Sequence, residues 1–141
     1  MATKPPSELH HRMLPKLTDA NRAFWTGGRD GRLLILRCRA CDRWVHPPDA
    51  LIHDGCGGAL EPTAASGTGT VYTFTVNHQS FNRDVPLPYV IAIVELAEQA
   101  DLRCFTNLVN VEADTVELGM EVRVLFEDHG EIFVPVFEPD C

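Results

Sequence analysis

The stretch RCRACDRWVHPPDALIHDGCGGAL, residues 37–60, decides how the rest of the chain is organised. Cys38 and Cys41 stand two residues apart in it, and His53 and Cys56 repeat that gap after eleven intervening residues. Tetrahedral zinc takes four thiolate or imidazole donors. A C-x-x-C turn presents two sulfurs on one side of a tight knuckle, so each knuckle supplies half of a tetrahedron. The intervening residues, with Pro47-Pro48 among them, suffice for one strand and a return, which is the spacing of a zinc ribbon. Gly55, Gly57 and Gly58 give the backbone around Cys56 the freedom a knuckle turn demands. The expected ligands are therefore Cys38, Cys41, His53 and Cys56, with Zn2+ as the cofactor. Two other readings stand beside this one. His46 could take the fourth position, or the ribbon could hold its shape by packing alone, with the cysteines as reduced thiols and His53 on the surface.

Working outward, Leu33-Leu34-Ile35-Leu36 reads as the first strand of the ribbon hairpin and Trp44-Val45 as its return. Pro47-Pro48 ends that pairing, because neither nitrogen can donate to a ladder. Beyond the second knuckle, Glu61-Pro62-Thr63 leads into small residues from Ala64 to Gly69 that read as a hinge between ribbon and body. Upstream, TDANRAFW at 18–25 predicts a short helix with Thr18 or Asp19 as N-cap and Gly27-Gly28 as its stop. Its aromatic pair, Phe24 and Trp25, is either core or a partner surface. The first dozen residues, with Pro5-Pro6, His10 and His11, read as a mobile or docked arm.

The body is rich in strands. Residues 70–76, TVYTFTV, alternate polar and apolar types with β-branched and aromatic side chains throughout. That alternation puts Val71 on one face and Tyr72, Phe74 and Val76 on the other. A long connection with two prolines, 77–88, precedes Tyr89 to Leu96, which is too continuously apolar for a sheet with one wet face. Residues 102–109, 122–127 and 132–137 follow as three more strands, with a turn at Gly119-Met120. Five short strands with little helix between them predict a small Greek-key barrel of the OB type. The expected fold is mainly β: an N-terminal helical arm (1–32), a rubredoxin-like zinc ribbon (33–62) and a five-stranded OB-fold barrel (63–141).

Composition narrows the function classes. Apolar residues make up 45% of the 141, enough for a real core. No run approaches the roughly 20 apolar residues that span a membrane, and the N-terminus has no apolar leader. Five cysteines, an odd number with a C-x-x-C pair among them, fit a reduced, cytoplasmic setting; Cys104 is expected buried and Cys141 a bystander. The net charge of −8 argues against binding nucleic acid by phosphate neutralisation. The charge is unevenly spread. Residues 1–43 hold nine of the twelve Lys and Arg against four acids, and the remainder holds three against sixteen. Such a basic front end faces a phosphorylated ligand or an acidic protein, or else pairs with the acidic body of its own chain.

Several pieces carry a resemblance when taken in order. They are FW followed by Gly-Arg, L-x-x-x-R-C-x-x-C with a PP after it, CGG at the second knuckle, SGTGTVYTFTVNH, PYVIAIVEL, and GMEVRVLFE before a last strand ending F-x-P. Over nearly its whole length the chain resembles the DUF35 family of zinc-ribbon and OB-fold proteins. It departs from the pattern at His53, where the family has a third cysteine. The resemblance implies an accessory subunit, with no catalytic residue of its own. Such subunits accompany thiolase-fold enzymes on acyl-CoA thioesters, including acyltransferases, a 3-hydroxy-3-methylglutaryl-CoA synthase assembly and steroid side-chain retro-aldolases. A thiolase-like protein and acyl-CoA are thus the expected partners. Arg37, Arg39 and Arg43 on the ribbon are candidates for the phosphates of coenzyme A. The short arm and clean ending read as a near-complete module.

His78, on the 77–88 loop with Asp84, is a further candidate ligand-binding residue where OB folds meet ligands. The rival reading, an OB domain for single-stranded nucleic acid, needs an aromatic platform in a basic groove. Tyr72, Phe74 and Phe105 could stack, yet from Pro47 onward the fixed cations are only Arg83, Arg103 and Arg123.

Overall fold

The strand signals from Leu33 onward translate into two sheets in the computed structural model, which describes residues 12–80 and 85–140 and the backbone of 3–4. In chain order the elements are β1 (Thr3–Lys4), α1 (Arg22–Thr26), a 3-10 turn (Gly27–Asp30), β2 (Leu33–Cys38), β3 (Trp44–Val45), β4 (Leu60–Ala65) and β5 (Thr68–Asn77). They continue as β6 (Tyr89–Leu96), β7 (Arg103–Leu108), a second 3-10 turn (Ala113–Thr115), β8 (Glu121–His129) and β9 (Ile132–Pro139). No helix among the described residues is long and apolar enough to cross a membrane.

The five strands of the body close on themselves. β5, β6 and β7 run as an antiparallel meander, and β7 meets β9 in parallel at Leu108 and Phe137. β9 pairs antiparallel with β8, and β8 returns to β5 through Thr68, Gly69 and Thr70. This is the expected OB-type barrel. Its interior is filled by Val71, Val90, Ala92, Val94, Leu96, Val122, Val124, Phe126 and Phe137.

One face assignment is corrected. In β5 the register with β6 shifts between Val71, opposite Val94, and Thr73, opposite Ile93, so Tyr72 is an extra residue in a β-bulge. The bulge reverses the inward parity of the strand beyond it. Phe74 and Val76 therefore pack on the core together with Val71, while Tyr72 turns outward beneath the Arg103 guanidinium, 3.8 Å from its ring centroid.

The expected hinge is also corrected. Residues 60–65 form β4, which pairs with β2 through six registered positions from Cys38–Leu60 to Leu33–Ala65. Only Ser66 and Gly67 separate it from β5. Small residues are placed there by packing, not flexibility: Ala65 is buried with Leu33 and Ile35 in the same core as Val71 and Phe126.

The helix starts later than predicted, with Asn21 and not Thr18 or Asp19 at its N-cap, and stops at Thr26 with Gly27 as its C-cap, as expected. Thr18 and Asn21 bond reciprocally, N–H to Asn21 Oδ1 at 2.7 Å and N–H to Thr18 Oγ1 at 3.2 Å, before α1 begins at Arg22. The chain then runs on through the 3-10 turn and reverses at Gly31, with φ 71°. Gly28 serves a close approach: a Cβ there would lie 2.6 Å from Phe126 Cδ1 and from Phe133 Cβ. Phe24 is core, edge-on to a half-buried Trp25 at 4.8 Å.

The arm is docked where it is described. β1 adds in parallel to β8. Arg12 Nε donates to Glu127 Oε1 at 2.7 Å and Nη1 donates to Asn107 Oδ1 at 3.1 Å; Glu127 is buried, with His129 Nε2 3.5 Å away. His10 and His11 lie outside the described residues. Removing one partner of a buried pair strands the other charge, so Arg12→Ala is expected to lower unfolding stability by about 3 kcal/mol. In urea titrations, Arg12→Ala combined with Glu127→Gln should cost less than Arg12→Ala alone.

Candidate metal centre

The two knuckles share one backbone pattern although one begins with cysteine and the other with histidine. In the first, the Cys38 N–H donates to Arg43 O at 2.8 Å, and the Asp42 N–H donates back to Cys38 O at 2.9 Å. In the second, the His53 N–H donates to Gly58 O at 2.8 Å, and the Gly57 N–H donates to His53 O at 2.7 Å. The residue after each second donor is left-handed, Asp42 at φ 62° and Gly57 at φ 73°. His53 thus sits where Cys38 sits in its own turn.

Side chains of all four predicted residues converge. Their donor atoms lie within 4.8 Å of one another, which makes Cys38, Cys41, His53 and Cys56 a metal-binding cluster. Cys38 Sγ is 3.3 Å from Cys56 Sγ, and His53 Nδ1 is 3.3 Å from Cys41 Sγ and 3.2 Å from Cys56 Sγ. A single ion about 2.0–2.3 Å from each donor spans such separations.

Only Gly57 among the three knuckle glycines is needed for its conformation; Gly55 and Gly58 are needed for space. A Cβ on Gly58 would fall 2.6 Å from Cys38 Sγ. Burial of Cys38 works against its thiolate, but hydrogen bonds from the Cys41 and Ala40 backbone and from the Cys56 and Cys41 side chains outweigh it, and its pKa falls to about 6. At Cys56 the Gly58 backbone favours the thiolate, yet Cys38 beside it and burial leave its pKa raised. Such thiols hold fewer protons for an incoming cation to displace at one position than at the other. Burial alone pushes Cys104 up to about 12, in keeping with its expected place inside the barrel.

His46 is not among the clustered donors. Its ring stacks on Phe24 with centroids 4.5 Å apart, and it lines a cleft of about 410 Å³ between ribbon and barrel. Burial lowers its pKa from 6.5 to about 4.

The candidate arginines are engaged within the chain. Arg37 Nε donates to Asp42 O at 3.1 Å and its guanidinium lies over Trp44; Arg39 pairs with Glu61 at 3.6 Å, and Arg43 with Asp101. With Arg12 on Glu127 and Arg22 near Glu131, much of the basic front end is paired with acids from later in the sequence. His78 is exposed and lines a hollow of about 280 Å³ with Val76, Pro88, Glu112 and Asp114; Asp84 lies outside the described residues. Two linking residues carried no motif. Gln99, in the β6–β7 turn, accepts from the Trp44 N–H and donates to Trp44 O, both at 3.0 Å, tying ribbon to barrel; Glu127 anchors the arm.

A cysteine-histidine ribbon joined to a closed five-stranded barrel defines the class. The description "ChsH2, rubredoxin-like zinc ribbon domain" matches residues 25–53, and "ChsH2, C-terminal OB-fold domain" matches residues 62–127. The chain belongs to the DUF35 family. It is 35% identical over 99 residues to a "DUF35 domain-containing scaffold protein" of Methanocaldococcus jannaschii, covering 67% of each chain. It is also 38% identical over 122 residues to a "Probable enoyl-CoA hydratase alpha subunit" of Thermomonospora curvata, and 30% identical over 128 to a "3-oxo-4,17-pregnadiene-20-carboxyl-CoA hydratase alpha subunit" of Mycobacterium tuberculosis. These matches take in 84% and 91% of this chain but only 37% and 40% of those two relatives. Among solved structures, a chain of "Ltp2-ChsH2(DUF35) aldolase" is similar with TM-score 0.78 and 37% identity, over 89% of this chain and 98% of that one. A DUF35 protein of unknown function from Sulfolobus solfataricus shares the fold at TM-score 0.62 and 13% identity, over 95% of this chain and 91% of that one.

His46 gives the centre's surroundings a pH signature. Folding holds it neutral, so the unfolded chain takes up a proton first as pH falls. Its contribution is fully present above about pH 6.5 and is lost as pH drops toward about 4. Urea midpoints measured at about pH 7 and about pH 5 should fall less in His46→Gln than in the parent chain.

Proposed function

We propose that this chain is a zinc-stabilised accessory subunit of a thiolase-fold enzyme that makes or breaks carbon-carbon bonds in acyl-CoA thioesters, such as a steroid side-chain retro-aldolase. It stabilises that partner and helps to hold or channel acyl-CoA in a cytoplasmic complex, leaving the chemistry to the partner. The observation that carries this reading is the likeness, at 37% identity and over 98% of its length, to a chain of the solved "Ltp2-ChsH2(DUF35) aldolase". The acyl-CoA names of the curated relatives support the substrate class.

The Zn2+ would be held by Cys38, Cys41, His53 and Cys56, a closed set of four protein donors. Such a centre is structural: it leaves no position for a reacting water, and its contribution is to the fold of the ribbon. Arg37, Arg39 and Arg43 stand on that ribbon, where the phosphates of coenzyme A would compete with Asp42 O, Glu61 and Asp101 for their guanidinium groups.

The partner-facing surface is the outer face of β6 and β7. Phe105 is 77% exposed there, opposite Ile93, beside a groove of about 380 Å³ lined by Phe24, Trp25, Tyr89, Ile91 and Pro135. An apolar patch of this kind suits a protein partner more than water.

Metal analysis of purified protein should find about one zinc per chain, as expected of a four-ligand structural site. Co-purified with its thiolase-like partner, the chain should raise that partner's activity on acyl-CoA. Phe105→Asp should weaken the association by about tenfold or more while leaving stability nearly unchanged, because the side chain is exposed. Turnover of acyl-CoA by the isolated chain would overturn the accessory reading.

A further inference from the structure

We infer that His53 holds the zinc through Nδ1, and that Gly55 is the positioning residue that lets a histidine stand in a knuckle shaped for cysteine. This rests on the zinc reading given above and adds to it which nitrogen binds and why the substitution is tolerated. His53 and Cys38 occupy the same place in two turns with the same hydrogen bonds, so the backbone does not retreat to accommodate the larger ring. The near ring nitrogen must then do the work of a sulfur, since the far nitrogen would overshoot the shared ion. Accordingly Nδ1 is the atom 3.3 Å from Cys41 Sγ and 3.2 Å from Cys56 Sγ.

The far edge of the ring lies over Gly55. A Cβ at that position would stand 3.2 Å from His53 Nε2 and 3.3 Å from Cε1, closer than side chains ordinarily pack. Gly55, unlike Gly57, is not among the left-handed glycines, so an alanine there meets the imidazole and no backbone penalty. A cysteine at 53 has no ring over that spot. Gly55 therefore matters only because residue 53 is histidine. With Nδ1 on the metal, a neutral imidazole carries its proton on Nε2, and three thiolates with one imidazole leave the centre less negative than four thiolates would.

The test uses the full chain loaded with zinc and labelled with 15N at histidine. Two-bond 1H–15N spectra should show His53 with a metal-shifted Nδ1 and a protonated Nε2. The reverse pattern overturns the inference, and it is read on the unmutated protein. Zinc affinity, measured by competition with a chromophoric chelator, should fall by about tenfold or more in Gly55→Ala, as for a group that orients a metal ligand. The same substitution combined with His53→Cys should match His53→Cys alone within about twofold. Equal losses in both backgrounds would mean that Gly55 acts on the backbone, and the positioning role falls. A chain that takes up no zinc sinks both the zinc reading and this inference; stoichiometric zinc with a metal-free His53 ring sinks only the inference.

Discussion

The ladder between β2 and β4 is the constraint on which the rest of the molecule depends. It joins Leu33 to Ala65 at one end and Cys38 to Leu60 at the other, so it fixes both the entry to the first knuckle and the exit from the second. At its far end the same two strands bury Leu33, Ile35 and Ala65 in the core that Val71 and Phe126 share. One strand pair therefore carries a metal-binding cluster at its tip and, at its base, apolar side chains that share the barrel's core. A metal bound at the tip constrains the ladder, and the ladder in turn orients β5 for closure. Binding free energy at the knuckles becomes folding free energy for the ribbon by this route.

What was legible in the sequence follows from how few residue types a given physical task admits. Thiolate and imidazole donors at a two-residue gap have little other use together, so Cys38, Cys41, His53 and Cys56 stood out, and the structure gathers all four. Tyr89–Leu96 occupies its predicted span, but its unbroken apolar run does not mean burial on both sides: Val90, Ala92, Val94 and Leu96 are buried, whereas Tyr89, Ile91 and Ile93 are half-buried on the outer face. The failures came where tertiary packing overrode a local signal. Ala64 and Ala65 look like a linker because they are small, yet both pair in β4, and Ala65 is small where it is buried in the shared core. Gly27 does cap the helix, but Gly28 beside it is demanded by Phe126 and Phe133, far away in sequence, which no local signal shows. The bulge at Tyr72 left no trace in composition, since one inserted residue alters parity without altering the kinds of side chain present. Long-range ion pairs such as Arg12–Glu127 are invisible for the same reason: any acid in the body could have been the partner.

The charge split resolves largely inside the molecule. Arg12, Arg39 and Arg43 each reach a carboxylate from beyond residue 43. At the exposed positions these contacts are weak, because water and salt screen them, and a ligand bearing several phosphates can displace them at little cost. Arg12 is different. Its partner Glu127 is buried, so that pair is committed to holding the arm, and it is unsuited to exchange. The ion pairs of Arg39 and Arg43 on the ribbon are thus exposed and exchangeable, whereas Arg12 of the arm is structural.

The barrel's outer surface separates this protein from an OB domain built to grip nucleic acid. Such a domain sets aromatic rings among unpaired cations. Here Tyr72 is covered by Arg103, whose charge is also paired with Glu95 at 3.5 Å, so ring and cation are spent on each other. Phe105 remains, across the ladder from Ile93 and near Ile91 and Tyr89, without a cation stacked on it among the described contacts. A polyanion approaching that face would meet apolar side chains and two arginines, Arg12 and Arg103, already paired with Glu127 and Glu95, under a strongly negative net charge. An apolar protein surface approaching it would release water from both sides, and the charge it meets at the groove, Arg12, is already paired with Glu127, which is the balance that favours association between proteins.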